Sequence, residues 1–506
     1  MSTLVSSQSS LGRRFTLIAL GLVSTGALAG CPDREVSRVD PIQDPVLDKS
    51  IPVNINRNLD LLFVIDNSGS MLAEQAALAT NFPEFINVLQ QIEGGLPDIH
   101  LGVISSNVGA AGAQSVPGCP ASGDDGNLLT GPPGNNCAAT YALQGSFISD
   151  IAQSNGTRTR NYNPTATGTD GQGLAGLFSC MAKLGTSGCG FEMHLESMYR
   201  ALQPGKNAGF YRNEAFLAVI FIADEDDCST EMGAMFGDPN AGIASQLGPR
   251  TSFRCHEFGV RCDADANPRA LGPKTGCEPD TNSQYEYEVQ RYIDFLRNLK
   301  MTDPKLAIVA GIIGNFDALT GNLAVGPDRR TNDPNLPEVS RSCDSGNPTD
   351  PDDGAAPPVR LQAFLSSFPD RNTFTTICNN NLSDALVQIA SLLKTAIGNP
   401  CIDKPLDDRN AGLDGLQPEC SVVDVQNPDS DNRSEEVIPQ CSVAIQTTPM
   451  CDPGSVVTPC WCIHPDAVAC PPSTDNPQSY SIEVNRGGAT PALGTVLEVQ
   501  CVTEGR

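Results

Sequence analysis

At 506 residues the chain has room for two to four domains of about 150 residues each. Its formal net charge of -27 argues against nucleic acid or an anionic membrane surface as a partner, since both require clustered Lys and Arg. With 39 Pro, 47 Gly and only 5% aromatic residues, extended surface insertions are expected rather than one smooth body.

The N-terminus specifies a compartment. Arg13 and Arg14 precede a short apolar run, Phe15 to Val23, and Leu28-Ala29-Gly30-Cys31 closes the segment. The run is too short to span a bilayer and has the layout of a secretory signal over residues 1–30. Leu-Ala-Gly-Cys resembles the bacterial lipobox, which implies a mature protein beginning at a diacylated Cys31. Pro32 stands where an Asp marks inner-membrane retention in some bacteria, so the expected location is the outer membrane or cell surface. Residues 31–56 carry charges and Pro with little periodicity and read as a tether.

Alternating strand and helix patterns follow. Leu61-Leu62-Phe63-Val64-Ile65 is an uninterrupted apolar run, as expected of a strand buried on both faces of a parallel sheet. Leu78, Phe82, Phe85, Ile86, Leu89 and Ile92 recur at helical spacing, with Pro83 as a potential break. Further strands are predicted at Ile99 to Ile104, Phe216 to Ala223, Leu306 to Ile313 and Thr373 to Ile377. Helices are predicted where Tyr285, Val289, Tyr292, Ile293, Leu296 and Leu299 share a face, and from a Ser383 cap through Ile397. This alternation implies a doubly wound, mostly parallel α/β sheet over residues 57–398. Three stretches rich in Gly, Pro, Asn and Asp interrupt it, at about 107–172, 228–283 and 317–358, and are longer than ordinary loops.

From residue 399 to 506 the helices give way to short alternating runs such as Ser481-Ile482-Glu483-Val484 and Val496-Leu497-Glu498-Val499, predicting a small β-rich domain. Cysteines divide evenly between the two regions. Setting Cys31 aside, ten lie from Cys119 to Cys378 and eight from Cys401 to Cys501. Even counts in an exported chain predict disulfides confined to each region, with Cys119/Cys137 and Cys180/Cys189 plausible as short-loop pairs. Cys460-Trp461-Cys462-Ile463-His464 has zinc-like spacing, but the oxidising compartment favours disulfides there too.

The chemistry-bearing stretch is Asp66-Asn67-Ser68-Gly69-Ser70, directly after the first strand. One carboxylate and two hydroxyls at a strand's C-terminal end suit a hard divalent cation. Asp224 ends the strand Phe216 to Ala223 in the same way, so both carboxylates reach one sheet edge, where α/β proteins usually bind ligands. Asp224-Glu225-Asp226-Asp227 would repel itself without a cation. These motifs and their order resemble the metal-ion-dependent adhesion site of von Willebrand factor type A domains, enlarged here by insertions. The resemblance implies Mg2+ (or Mn2+ or Ca2+) held by Asp66, Ser68, Ser70 and Asp224, with a Thr from a further loop. Thr186 is the first choice for that Thr, and Ser187 and Glu192 are alternatives. It also implies a protein ligand presenting a carboxylate to the ion.

Two rival readings stand beside this one: an envelope scaffold in which the metal only stabilises the fold, and a metal-dependent hydrolase with two ions at the acidic run. No nucleophile elbow, phosphate loop or zinc-protease helix is visible, so no catalytic residues are assigned.

Overall fold

The computed structural model of the chain describes residues 46–504, apart from short internal stretches of which the longest are 345–353, 488–494 and 111–115. The signal, Cys31 and most of the tether lie outside the described residues.

The architecture is mixed α/β with several sheets. The largest has seven strands. In chain order they are β2 (Asn58–Ile65), β3 (Asp98–Ser105), β4 (Ile148–Ala152), β5 (Arg158–Arg160), β6 (Phe216–Ile222), β7 (Ala307–Ile313) and β8 (Asn372–Thr376). In space the order is β8-β7-β6-β2-β3-β4-β5; the first five are mutually parallel, β4 pairs antiparallel with β3, and β5 antiparallel with β4. Every residue of β6 and β7 is buried, as continuous apolar strands require. Alternation along the strands divides the core. Leu61, Phe63 and Ile65 pack with Ile220 and Ile312 beneath α1 (Leu72–Gln90), α2 (Gly173–Met181) and α6 (Ser383–Ile397). Leu62 and Val64 pack with Val219 and Val309 beneath α3 (His194–Ala201), α4 (Val289–Leu299) and α5 (Val359–Ser366) on the other face.

Pro83 does not break α1. The missing N–H of a proline leaves the carbonyl four residues earlier without its donor. Here that carbonyl, Ala79 O, accepts from the Ser179 hydroxyl at 2.6 Å. Tyr285 precedes α4 rather than opening it. Ser383 starts α6 but does not cap it; its hydroxyl bonds Asn81 Oδ1 at 2.6 Å.

The stretch 107–172 is not purely an excursion, since it supplies β4 and β5 to the main sheet's edge. Residues 46–52 also differ from expectation. Placed in the tether by their charges, they form β1 (Val46–Pro52), antiparallel to β14 (Val496–Val502). Leu47 and Ile51 turn inward there, while Asp48 and Ser50 between them face out, so the alternation is of the half-exposed kind.

The β-rich region consists of a four-stranded antiparallel sheet and a three-stranded sheet. In the first, β1, β14, β9 (Cys420–Gln426) and β10 (Ser434–Val437) lie in that order. The second comprises β11 (Gln440–Ile445), β12 (Cys460–Pro465) and β13 (Tyr480–Asn485). Leu47, Val422, Trp461, Ile482 and Val499 share its core.

Disulfides stay within the two cysteine groups. The first contains 119–189, 137–180, 228–255, 262–277 and 343–378. The second contains 401–470, 420–501, 441–460 and 451–462. The short-loop pairs Cys119/Cys137 and Cys180/Cys189 are therefore incorrect. Segment 119–137 lies alongside 180–189, so the bridges nest and hold both ends of the Thr186 loop. So many disulfides belong to an oxidising compartment, and the chain is an exported protein. No described helix is long and apolar enough to cross a membrane.

Candidate functional site

Strand register brings the acidic groups together. Ile65 pairs with Ile222 on one side and Ser105 on the other, so Asp66 emerges between Ala223-Asp224 and Ser106. The Asp66 amide bonds Ile222 O at 2.9 Å and fixes this alignment. Both Asp66 and Asp224 are buried.

Asp66 orders its own turn. Its Oδ1 accepts the Ser68 amide at 2.7 Å and the Ser106 hydroxyl at 3.3 Å. Ser68 Oγ and Ser70 Oγ lie 3.3 Å apart. Ser70 lies close enough to Asp224 to lower its carboxyl pKa slightly. Gln75, one turn into α1, ties this turn to the Thr186 loop: its Nε2 donates to Asp66 O and Gly185 O, and its Oε1 accepts the Gly185 amide. Gly188 donates to Asn67 O at 2.8 Å. A Cβ at Gly188 would come 2.1 Å from Asn67 Oδ1, so only glycine allows the approach.

Three carboxylate oxygens in this group are buried and have no hydrogen-bond partner among the described residues: Asp66 Oδ2, Asp224 Oδ1 and Glu192 Oε1. Their charges reinforce one another. Burial, then the charges of Asp66 and Glu225, push the Asp224 carboxyl well above the usual range, against weaker pulls from Arg341 and Ser70. Burial, then Glu225, Asp66 and Asp224, do the same to Glu192.

A cavity of about 780 Å3 opens over this group. Ser68, Ser70, Thr186, Ser187, Glu192 and Glu225 line it, while the buried Asp66 and Asp224 are not part of the lining. All three insertions wall it, through Cys119-Pro120, Thr251 to Phe253, and the segment carrying Arg329, Arg330 and Arg341. Thr186 and Glu192 thus face the same space, and both remain available as the loop's contributor.

The acidic run splits. Asp224 and Glu225 belong to the cavity group, but Asp226 and Asp227 turn away. Asp226 accepts the Arg360 and Leu361 amides at the start of α5 at 2.9 and 3.0 Å. Burial still pushes it up to about 6. Asp227 accepts the Leu195 amide at 2.9 Å and pairs with Arg360 at 3.1 Å; both side chains are fully buried. The expectation that the whole run needs a metal cation is therefore corrected: an arginine distant in sequence serves half of it. Sequence spacing gives no sign of Arg360.

Two neighbours of Asp66 also escaped sequence reading. His194, buried at the start of α3, has Nε2 3.6 Å from Asp66 Oδ2, beyond hydrogen-bond length. Neither of its ring nitrogens has a hydrogen-bond partner among the described residues. Ser106 was findable, as the first residue after the neighbouring strand. Among the described residues, the set of three His, Cys, Asp or Glu with ligating atoms within 4.8 Å of one another is Cys228, Cys255 and Glu286. A disulfide occupies both of those sulfurs, so it is no metal site. Cys460 and Cys462 are likewise bridged, to Cys441 and Cys451.

No protein-family profile and no curated protein sequence matches the chain. Among solved structures, the pilus adhesin RrgA from Streptococcus pneumoniae aligns at 12% identity with a TM-score of 0.25, over 90% of this chain and 57% of that one. The chain spans little more than half of that protein's aligned structure, and so loose an overlap carries no functional argument.

Proposed function

We propose that this exported chain is a lipid-anchored envelope protein whose 57–398 region is a doubly wound von Willebrand type A domain. It binds a protein ligand through a divalent cation, Mg2+ or else Mn2+ or Ca2+. The observation that carries this reading is the set of orphaned buried oxygens, Asp66 Oδ2 and Asp224 Oδ1, behind the hydroxyls of Ser68 and Ser70. A buried carboxylate oxygen without a donor is costly, and a cation removes that cost. The donor set is all oxygen, as Mg2+ requires. Asp66, Ser68, Ser70 and Asp224 would hold the ion, with Thr186 as the further contributor. When bound, such an ion offers an open coordination position to a carboxylate of the partner. The cavity above gives that partner access, and the Gln75 and Gly188 contacts hold the loop in place beforehand.

Glu192 favours a second reading. A third buried carboxylate would leave the ion less electrophilic, which suits an ion that only stabilises the fold of a scaffold. The two-ion hydrolase loses support, because Arg360 and backbone amides already occupy Asp226 and Asp227.

Calorimetry of Mg2+ binding to wild type, Asp66→Ala and Asp227→Ala tests the site. Binding should vanish only in Asp66→Ala among variants that remain folded; unchanged binding there removes the proposal. Capture of an envelope protein that EDTA abolishes supports the ligand reading, and EDTA-insensitive capture supports the scaffold.

A further inference from the structure

A second cavity, of about 660 Å3, lies at the C-terminal ends of β7 and β8, and Arg341 stands between it and the first. Its size falls within the roughly 300–1,000 Å3 of small-molecule sites. Its lining chemistry is different. In place of a carboxylate cluster it presents the amides of Asn315, Asn322 and Gln362 and the hydroxyl of Thr375, beside Phe316 and Phe374.

These polar groups are unused. The side chains of Asn315, Asn322, Gln362 and Thr375 form no hydrogen bond among the described residues. Gln362 matters most, because it is only 8% exposed and lines the cavity. Its carboxamide is not one of the buried, orphaned groups, so its atoms open to the cavity's solvent, where a ligand can bond them. Asp317, the acid of this lining, is already engaged: its carboxylate accepts the Leu319 amide and the Thr320 hydroxyl in its own turn. Ser342 is engaged too, its hydroxyl accepting from the Asn315 backbone N–H and donating to Ala355 O.

We infer that this cavity binds a neutral, polyhydroxylated ligand, a saccharide unit of a glycan. Each carboxamide has both donors and an acceptor, matching hydroxyls that also donate and accept. The half-buried rings of Phe316 and Phe374 offer apolar surface to the C–H faces of a sugar. An anionic ligand is disfavoured, because Asp317 lines the cavity and Arg341 is drawn toward Glu225, 3.7 Å away. This inference does not depend on a cation.

The test is binding of the intact protein, in EDTA, to an immobilised panel of neutral oligosaccharides of glucose, galactose, mannose and N-acetylglucosamine. At least one should be captured, and the double variant Asn315→Ala/Asn322→Ala should lose about tenfold in affinity. Both residues are exposed, so the fold should persist, as checked by an unchanged melting temperature. Gln362→Ala should lose at least as much; if it fails to fold, the exposed pair alone decides. Capture of no saccharide overturns the inference. So does capture that survives the double variant, or that EDTA abolishes, which would assign it to the other cavity.

Discussion

The two ends of strand β2 carry buried aspartates with opposite fates. Asp60, toward the N-terminal end, receives the Arg212 amide at 2.7 Å and its guanidinium at 2.8 Å. Asp66, just past the C-terminal end, has one oxygen held by Ser68 and Ser106 and the other left open. Both are fully buried. The chain therefore provides its own cation where the carboxylate serves the fold, and withholds one where the sheet edge meets a cavity. Arg360 with Asp227 repeats the first arrangement close beside the second. The carboxylate that lacks a protein cation lies at the end of the sheet that the cavity covers.

The largest expected effect comes from removing a protein cation. Arg212→Ala should destabilise by about 3–5 kcal/mol at neutral pH, by stranding Asp60. Denaturant unfolding with the disulfides intact measures it. A loss under about 1 kcal/mol would mean that Asp60 is not compensated by Arg212, and the contrast between the ends would disappear.

Burial pushes Asp60 up to about 6 from 3.8, despite the charge and hydrogen bonds of Arg212. A raised folded pKa contributes stability that is complete below the unfolded value and lost as pH rises through the folded one. Wild type should thus lose up to about 3 kcal/mol from this group between pH 4 and pH 7. Asp60→Asn should remove that part of the slope. Identical slopes in the two proteins would place the charged form of Asp60 in better company than its surroundings indicate.

At the other end, the missing cation can be added. At about 100 Kd of free Mg2+, wild type should gain about 2.7 kcal/mol, read as a higher melting temperature. Asp66→Ala should gain nothing, yet match or exceed wild type in EDTA, because its neighbours lose a like charge. A variant that melts far below wild type in EDTA would make Asp66 a structural residue like Asp60.

The smallest effect sharpens the site. Thr186→Val should weaken Mg2+ binding by about tenfold or less, and Ser187→Ala should leave it unchanged. If Glu192→Gln weakens it more than Thr186→Val, the loop's contribution comes from the carboxylate.

The sequence alone determined the repetitive part of the fold. Apolar runs at 61–65, 216–223 and 306–313 read as buried strands, and all three lie side by side in the main sheet. The same logic located Asp66 and Asp224, because a residue following a buried strand must emerge at the sheet's edge. Even cysteine counts confined the bridges to two groups but not the partners within them, which depend on how 119–137 lies against 180–189.

Only the tertiary structure decided which charges are already balanced. Asp224 to Asp227 read as one acidic run, and separating it needed Arg360, whose place in the sequence says nothing about its place in space. Residues 46–52 read as a tether because their strand pairs with the far end of the chain. The insertions read as loops, yet they wall the cavity over the site. Each of these depends on contacts between residues remote in sequence. Periodicity reports a residue's neighbours along the chain, whereas charge balance and cavities are set by neighbours across it.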